Sequence, residues 1–335
     1  MAAKVFLALF AIATIARAGV PRADSDPLQY VTVWSDRNGT YVARIALDGT
    51  PIDRAALLVA RKSYAPVIAF DGNEHLIVYV GEHQTVVGRF FKSDGTFDGE
   101  PFRIGKGEIY IAGVKVAWLS DEYLVAWEGT QCGAALVKRD RSTKVLPLFD
   151  DRETIFRDIA VGGRLIAYAT YDEVFTVRTA LISGDEVAAH SVVATPAGAS
   201  VVALAAAPAP WGFLLTWTEL RGDPTRWTPH AARLDKRGAP IGTPFVFPAT
   251  VDSQDPAISP YLDGEKAHVI VRASGLLEDA IITESGIEAR HSLATLPADR
   301  HANDVTPLPR RGGPLAVAYD FWESDGTVTT LRVFQ

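Results

Sequence analysis

The 335-residue chain predicts an all-β fold, a β-propeller of seven four-stranded blades, from three observations. Short apolar runs recur along almost the whole length, turn residues punctuate them, and a bulky residue closes the second run of each unit at near-constant spacing. With Trp34, Tyr79, Trp127, Tyr168, Trp217, Val271 and Tyr319 as the marks, the six intervals average 47.5 residues, the period of a propeller blade. Six or eight blades are the alternatives in number, and a β-sandwich of similar short strands is the alternative architecture.

Pro66 to Gly105 shows one complete unit. Pro66–Phe70 and His75–Val80 flank Asp71-Gly-Asn, while Thr85–Phe91 and Pro101–Ile104 flank Ser93-Asp-Gly-Thr. Glycine beside Asp or Asn supplies the positive φ that tight strand connections need. The first two strands of the units are continuous apolar runs (HLIVYV, YLVAW, FLLTW, HVIVRA, PLAVAY), as expected where neighbouring blades cover both faces. The third strand carries a basic residue: Arg44, Arg89, Lys138, Arg178 and Arg233.

Residues 1–18 have the layout of an export signal, with Lys4, an apolar stretch from Val5 to Ala16, and small residues Ala16 and Ala18 before a cut at Gly19. That stretch of about 12 residues is too short to span a bilayer. The expectation is a secreted or periplasmic protein without membrane insertion. Residues 19–28 form an N-terminal segment whose Pro21 and Pro27 restrict it to an outer, unpaired side, and it is a candidate to close the ring as an edge strand on the last blade. The propeller proper occupies 29–335. Its first blade starts at Gln29 without an innermost strand, and its last ends at Phe334 without an outermost one. The third blade runs from Ala112 to Phe149, the fourth from Ile155 to Ala194, the fifth from Ala199 to Pro248, the sixth from Pro256 to Pro297, and the seventh takes Asn303 onward.

Composition narrows the function. The formal charge of −7 becomes −9 once Lys4 and Arg17 are removed, which disfavours nucleic acid as a partner. The single Cys132 makes no internal disulfide and reads as a small buried hydrophobe. Seven scattered His without ligand spacing, and acids without the rhythm of a calcium loop, give no metal site and no cofactor. No serine stands in a Gly-x-Ser-x-Gly setting, so no catalytic residue is assigned.

AFDGNEHLIVYV followed by VVGRFFKSDGT resembles the propeller repeats of many secreted bacterial proteins. The resemblance covers most of the chain after residue 18 and implies the propeller fold. That group is functionally mixed, so it implies no catalytic residues. Phe102-Arg-Ile-Gly105 resembles the arginine motif of sialidases with Gly in place of Pro, without the boxes that mark those proteins.

One constellation remains. Acids follow the second strand of nearly every blade: Asp36, Glu82, Glu128, Asp172, Glu219 and Asp320, with Arg272 the exception. The longest excursion, Glu219 to Trp227, adds Arg221 and Trp227, and Asp320–Glu323 adds Trp322. The acids either accept backbone N–H groups within their turns or face a ligand. Pairing with the basic third-strand residue is disfavoured, because Asp36 facing Thr40 sets Arg44 opposite Thr32, and Glu82 facing Thr85 sets Arg89 opposite Val78. The reading is an exported binding module for a protein or glycan ligand, held on the loop face around the central channel. The alternative is a carbohydrate-active hydrolase or lyase using two of these carboxyl groups about 5–9.5 Å apart.

Overall fold

A computed structural model describes residues 7–9, 22–107, 111–129, 132–146, 155–222, 226–247, 258–273, 275–295, 301–308, 315–323 and 326–334. Among them are seven four-stranded antiparallel sheets and no α-helix; a single 3₁₀ turn occupies Glu82–Gln84. All seven marker residues lie in second strands, from Trp34 in Gln29–Asp36 to Tyr319 in Leu315–Glu323. Sheet two shows the typical unit: Tyr64–Phe70, Glu74–Gly81, Thr85–Lys92 and Phe97–Lys106, each paired with the next; the first strands of sheets three to six are Ile111–Trp118, Ile155–Gly162, Ser200–Ala209 and Ile258–Asp263.

The two ends depart from expectation. Arg22–Ser25 pairs with Gln29–Asp36 and is the first strand of sheet one, instead of lying on the last sheet. The strand contains neither Pro21 nor Pro27, so nothing bars its N–H groups from the ladder. The last sheet consists of His301–Leu308, Leu315–Glu323 and Gly326–Phe334, and Leu7–Leu9 pairs along the outer side of Gly326–Phe334.

Register also differs from expectation, by one residue. Asp36 faces Gly39, which sets Arg44 opposite Val31, and Gly81 faces Thr85, which sets Arg89 opposite Ile77. In sheet one the turn is the two residues Arg37 and Asn38. In sheet two it is Glu82–Gln84, with His83 and Gln84 both at positive φ. The excursion after Glu219 is mostly ladder, because the second strand runs to Arg221 and the third starts at Arg226, directly opposite it.

The core is divided among the seams between sheets. Val31 and Val33 pack with Ile77 and Phe91 between sheets one and two, and Val78 and Phe90 with Val125 and Tyr123 between two and three. The same arrangement recurs at each following seam through Tyr261 with Val305 and Val317 between six and seven. A further cluster joins Tyr30 and Ile45 of sheet one to Leu308 and Ala316 of sheet seven. Apolar residues on both faces of the second strands are therefore needed, since each sheet is covered on both sides.

Candidate functional site

The first strands surround a cavity of about 410 Å³, to which every sheet contributes, among others through Ala23, Val67, Lys115, Asp158, Leu204, Ser259 and Thr306. Its charged lining is Lys115 and Asp158. A β-bulge between Phe156 and Asp158 leaves Arg157 out of the ladder, while Asp158 pairs with Ala169. Its Oδ1 accepts the Ile159 N–H at 2.8 Å, and its Oδ2 accepts the Leu204 N–H of sheet five at 2.7 Å. Glu128 stands opposite Gly113, whose lack of a side chain admits it: a Cβ there would lie 2.7 Å from Glu128 Oε1. Burial first, and then the charge of Asp158, push the Glu128 carboxyl up to about 7 against the pull of Lys115. Cys132 lies beside this pair, and burial pushes its thiol up to about 12, which leaves it chemically quiet.

A second cavity of about 690 Å³ opens between sheets four and five, lined by Tyr171, Glu173, Val174 and Phe175, by Gly198–Val202, and by Leu220. Tyr171 and Val174 are 40% and 43% exposed, and the Tyr171 and Phe175 rings pack 4.9 Å apart. Glu173, at φ 58°, forms the tight turn that presents both rings. Beside the cleft, Glu219 is buried and accepts Trp217 Nε1–H at 3.2 Å and Arg221 Nη2–H at 2.7 Å. Arg221 Nη1 donates to the Ala197 carbonyl at 2.8 Å, next to the cleft wall. His230 stacks on Trp217 at 5.2 Å with its Nε2 3.4 Å from Glu219, and burial holds its pKa below the usual value.

The predicted residues therefore disperse. Asp36 accepts the N–H groups of Asn38 and Gly39 and is a turn-former. Glu82 pairs with Lys62 at 2.9 Å in solvent. Glu128 reaches the central cavity through Asp158, and Glu219 and Arg221 stand together at the cleft. Trp227 is half-buried in the ladder opposite Leu220, not in a loop. Asp172 faces Val174, Asp320 faces Thr329 and Trp322 faces Thr327 in their hairpins; their side chains lie outside the described residues, as do Asp150–Glu153 and Asp252–Asp255 altogether. Sequence reasoning missed Asp158, Lys115, Tyr171 and Phe175. A signal existed for Asp158, a lone acid inside the run Ile155–Gly162. Among the described residues no group of three or more His, Cys, Asp or Glu is placed to hold a metal ion.

No family model matches the chain, and no curated protein does. Solved structures do. The WD40 domain of a coronin from Toxoplasma gondii superposes with a TM-score of 0.57 at 10% identity over 93% of this chain and 80% of that one. AofleA from Arthrobotrys oligospora gives 0.51 at 10% identity, covering 98% and 84%. A prolyl endopeptidase gives 0.52 at 13% identity over 94% of this chain, which spans just under half (46%) of that protein's length. At such identities the likeness shows a propeller-type fold and nothing finer.

Proposed function

We propose that the chain is an exported, closed seven-bladed propeller acting as a binding module for a protein or glycan ligand, which sits on the face bearing the second-to-third strand turns. The observation that carries this reading is the cleft between sheets four and five, where exposed Tyr171 and Val174 stand beside an arginine fixed by the buried Glu219. An exposed ring next to oriented N–H donors suits a sugar ring or a partner's apolar side chain. Closure is supported by the packing of Tyr30 and Ile45 on Leu308 and Ala316. The hydrolase alternative would draw on Glu128 and Asp158. A carboxyl pair doing that chemistry stands about 5–9.5 Å apart across a pocket.

A glycan-binding screen and a pull-down from the native envelope, each repeated with Tyr171→Ala, test the proposal. The variant should weaken the selected ligand by about 2 kcal/mol or more while the unfolding midpoint stays put, because the ring is exposed. Unchanged affinity in the variant would remove the cleft from consideration.

A further inference from the structure

The hairpin formed by the second and third strands of sheet five ends beside the cleft between sheets four and five. There Arg221 and Arg226 stand directly opposite each other in the ladder, and residues so placed share one face of a sheet. Trp217 and Glu219 occupy that face too, because they alternate with Arg221 along the strand, and Trp217 packs with Val177 of sheet four in the seam where the cleft opens. Two like charges facing across a strand pair repel. Glu219 relieves only Arg221: its Oε2 takes Nε–H at 3.1 Å and Nη2–H at 2.7 Å, while the Ala197 carbonyl takes Nη1–H. One N–H on each Nη stays open, aimed in a fixed direction by a buried carboxylate. Arg226 is exposed and has no ion-pair partner among the described residues. Among those residues the hairpin tip thus carries uncompensated positive charge, on a chain of formal net charge −7.

The cleft lining separates the two classes of ligand. Beyond Tyr171, Glu173 and Ser200 its side chains are apolar, Val174, Phe175 and Leu220 among them, which leaves the hydroxyls of a sugar few partners but suits an apolar side chain. Glu173 stands on the sheet-four side and the arginines on the sheet-five side, so an acidic group is drawn to one wall and repelled by the other. Resting on the cleft reading above, we infer that the ligand is an acidic protein segment: an aromatic or aliphatic side chain enters between Tyr171 and Leu220, and a neighbouring Asp or Glu bridges Arg221 and Arg226.

The probes are labelled peptides Gly-Ser-Phe-Asp-Ser-Gly, with Asn or Lys in place of Asp, and labelled polygalacturonate as an acidic glycan, each titrated with the full chain by fluorescence anisotropy. The Asp peptide should bind at least about tenfold tighter than the Asn peptide, as a charge-assisted contact provides. Added salt should weaken it. Arg226→Glu should transfer the preference to the Lys peptide, and Tyr171→Ala should weaken all three peptides alike; both residues are exposed, so the variants should keep the fold. An Asp peptide that binds no better than the Asn peptide, a preference unchanged in Arg226→Glu, or binding of polygalacturonate alone overturns the inference. A glycan that Tyr171→Ala weakens and Arg226→Glu does not overturns it while leaving the cleft reading in place. Peptide binding indifferent to Tyr171→Ala overturns both.

Discussion

His75 is 0% exposed, and neither of its ring nitrogens has a hydrogen-bond partner among the described residues. Its ring lies 4.7 Å from Phe70, opposite Phe91, in the core of sheet two. Burial, opposed by Asp26 and Asp71, drives its pKa to about 4, so the folded protein holds a neutral imidazole. Burying such polar atoms unbonded costs about 1–3 kcal/mol. His75→Leu should therefore raise the urea midpoint by about 1–2 kcal/mol equivalent at pH 7 instead of opening a cavity. The sign with pH follows from linkage. The unfolded chain takes up the proton from 6.5 downward and the folded one only near 4, so stability drops as pH falls across that window by up to about 3 kcal/mol. The Leu variant should lack that drop, and urea titrations at pH 7 and pH 4.5 decide it; a destabilised variant with the drop intact means the imidazole is satisfied by water.

Turns and third strands do more than connect. Arg44 pairs with Asp53 at 2.6 Å and donates to the Ser93 carbonyl of sheet two, and Arg139 of sheet three meets Asp71 of sheet two at 2.5 Å. Arg44 was visible in the sequence as one of the periodic basic residues, with Lys138 and not Arg139 standing for sheet three, and so were the hairpin glycines and the second strands, because each depends on neighbours a few residues away. The partners were not visible, because they sit on adjacent sheets 49 and 68 positions off in the chain. The one-residue error in register had a local cause: one turn is Arg37-Asn38 and the other has three residues, a difference that side-chain identity alone does not resolve. Asp71, with its side chain 0% exposed, also accepts the N–H groups of Asn73 and Glu74. Burial works to raise its pKa, but these bonds and Arg139 outweigh it and hold the carboxyl below the usual range. Its contribution is thus present above the unfolded pKa and lost as pH falls through the folded one. Asp71→Ala should cost about 2–4 kcal/mol at pH 7, whereas Arg139→Ala, half-exposed, should cost about 1 or less. Equal losses in chemical denaturation would mean that the ion pair, not the turn, is what Asp71 supplies.

At the scale of the whole molecule the repeat is legible and the joining of its ends is not, since each terminal blade looked one strand short. Arg22–Ser25 completes the first sheet. Leu7–Leu9 lies on the outer edge of the last, where Leu7 faces Arg332 and Leu9 faces Thr330. The same residues fall inside the apolar stretch of the proposed export signal, and they cannot serve both ends: cleavage before Gly19 would leave Gly326–Phe334 as an edge strand. Tyr30 and Ile45 of sheet one pack instead on Leu308 and Ala316 of sheet seven, and such cleavage would remove none of them. A chain beginning at Gly19 should therefore unfold in one transition, within about 1 kcal/mol of the chain beginning at Met1. Faster amide exchange should appear only along residues 330–332, as fits a short edge strand carrying Thr and Arg. Mass spectrometry of the exported protein should find Gly19 at its start. A Gly19 chain that unfolds in two steps, or a native protein that retains Met1 and protects 330–332 from exchange, would make residues 7–9 a blade strand and end the export proposal.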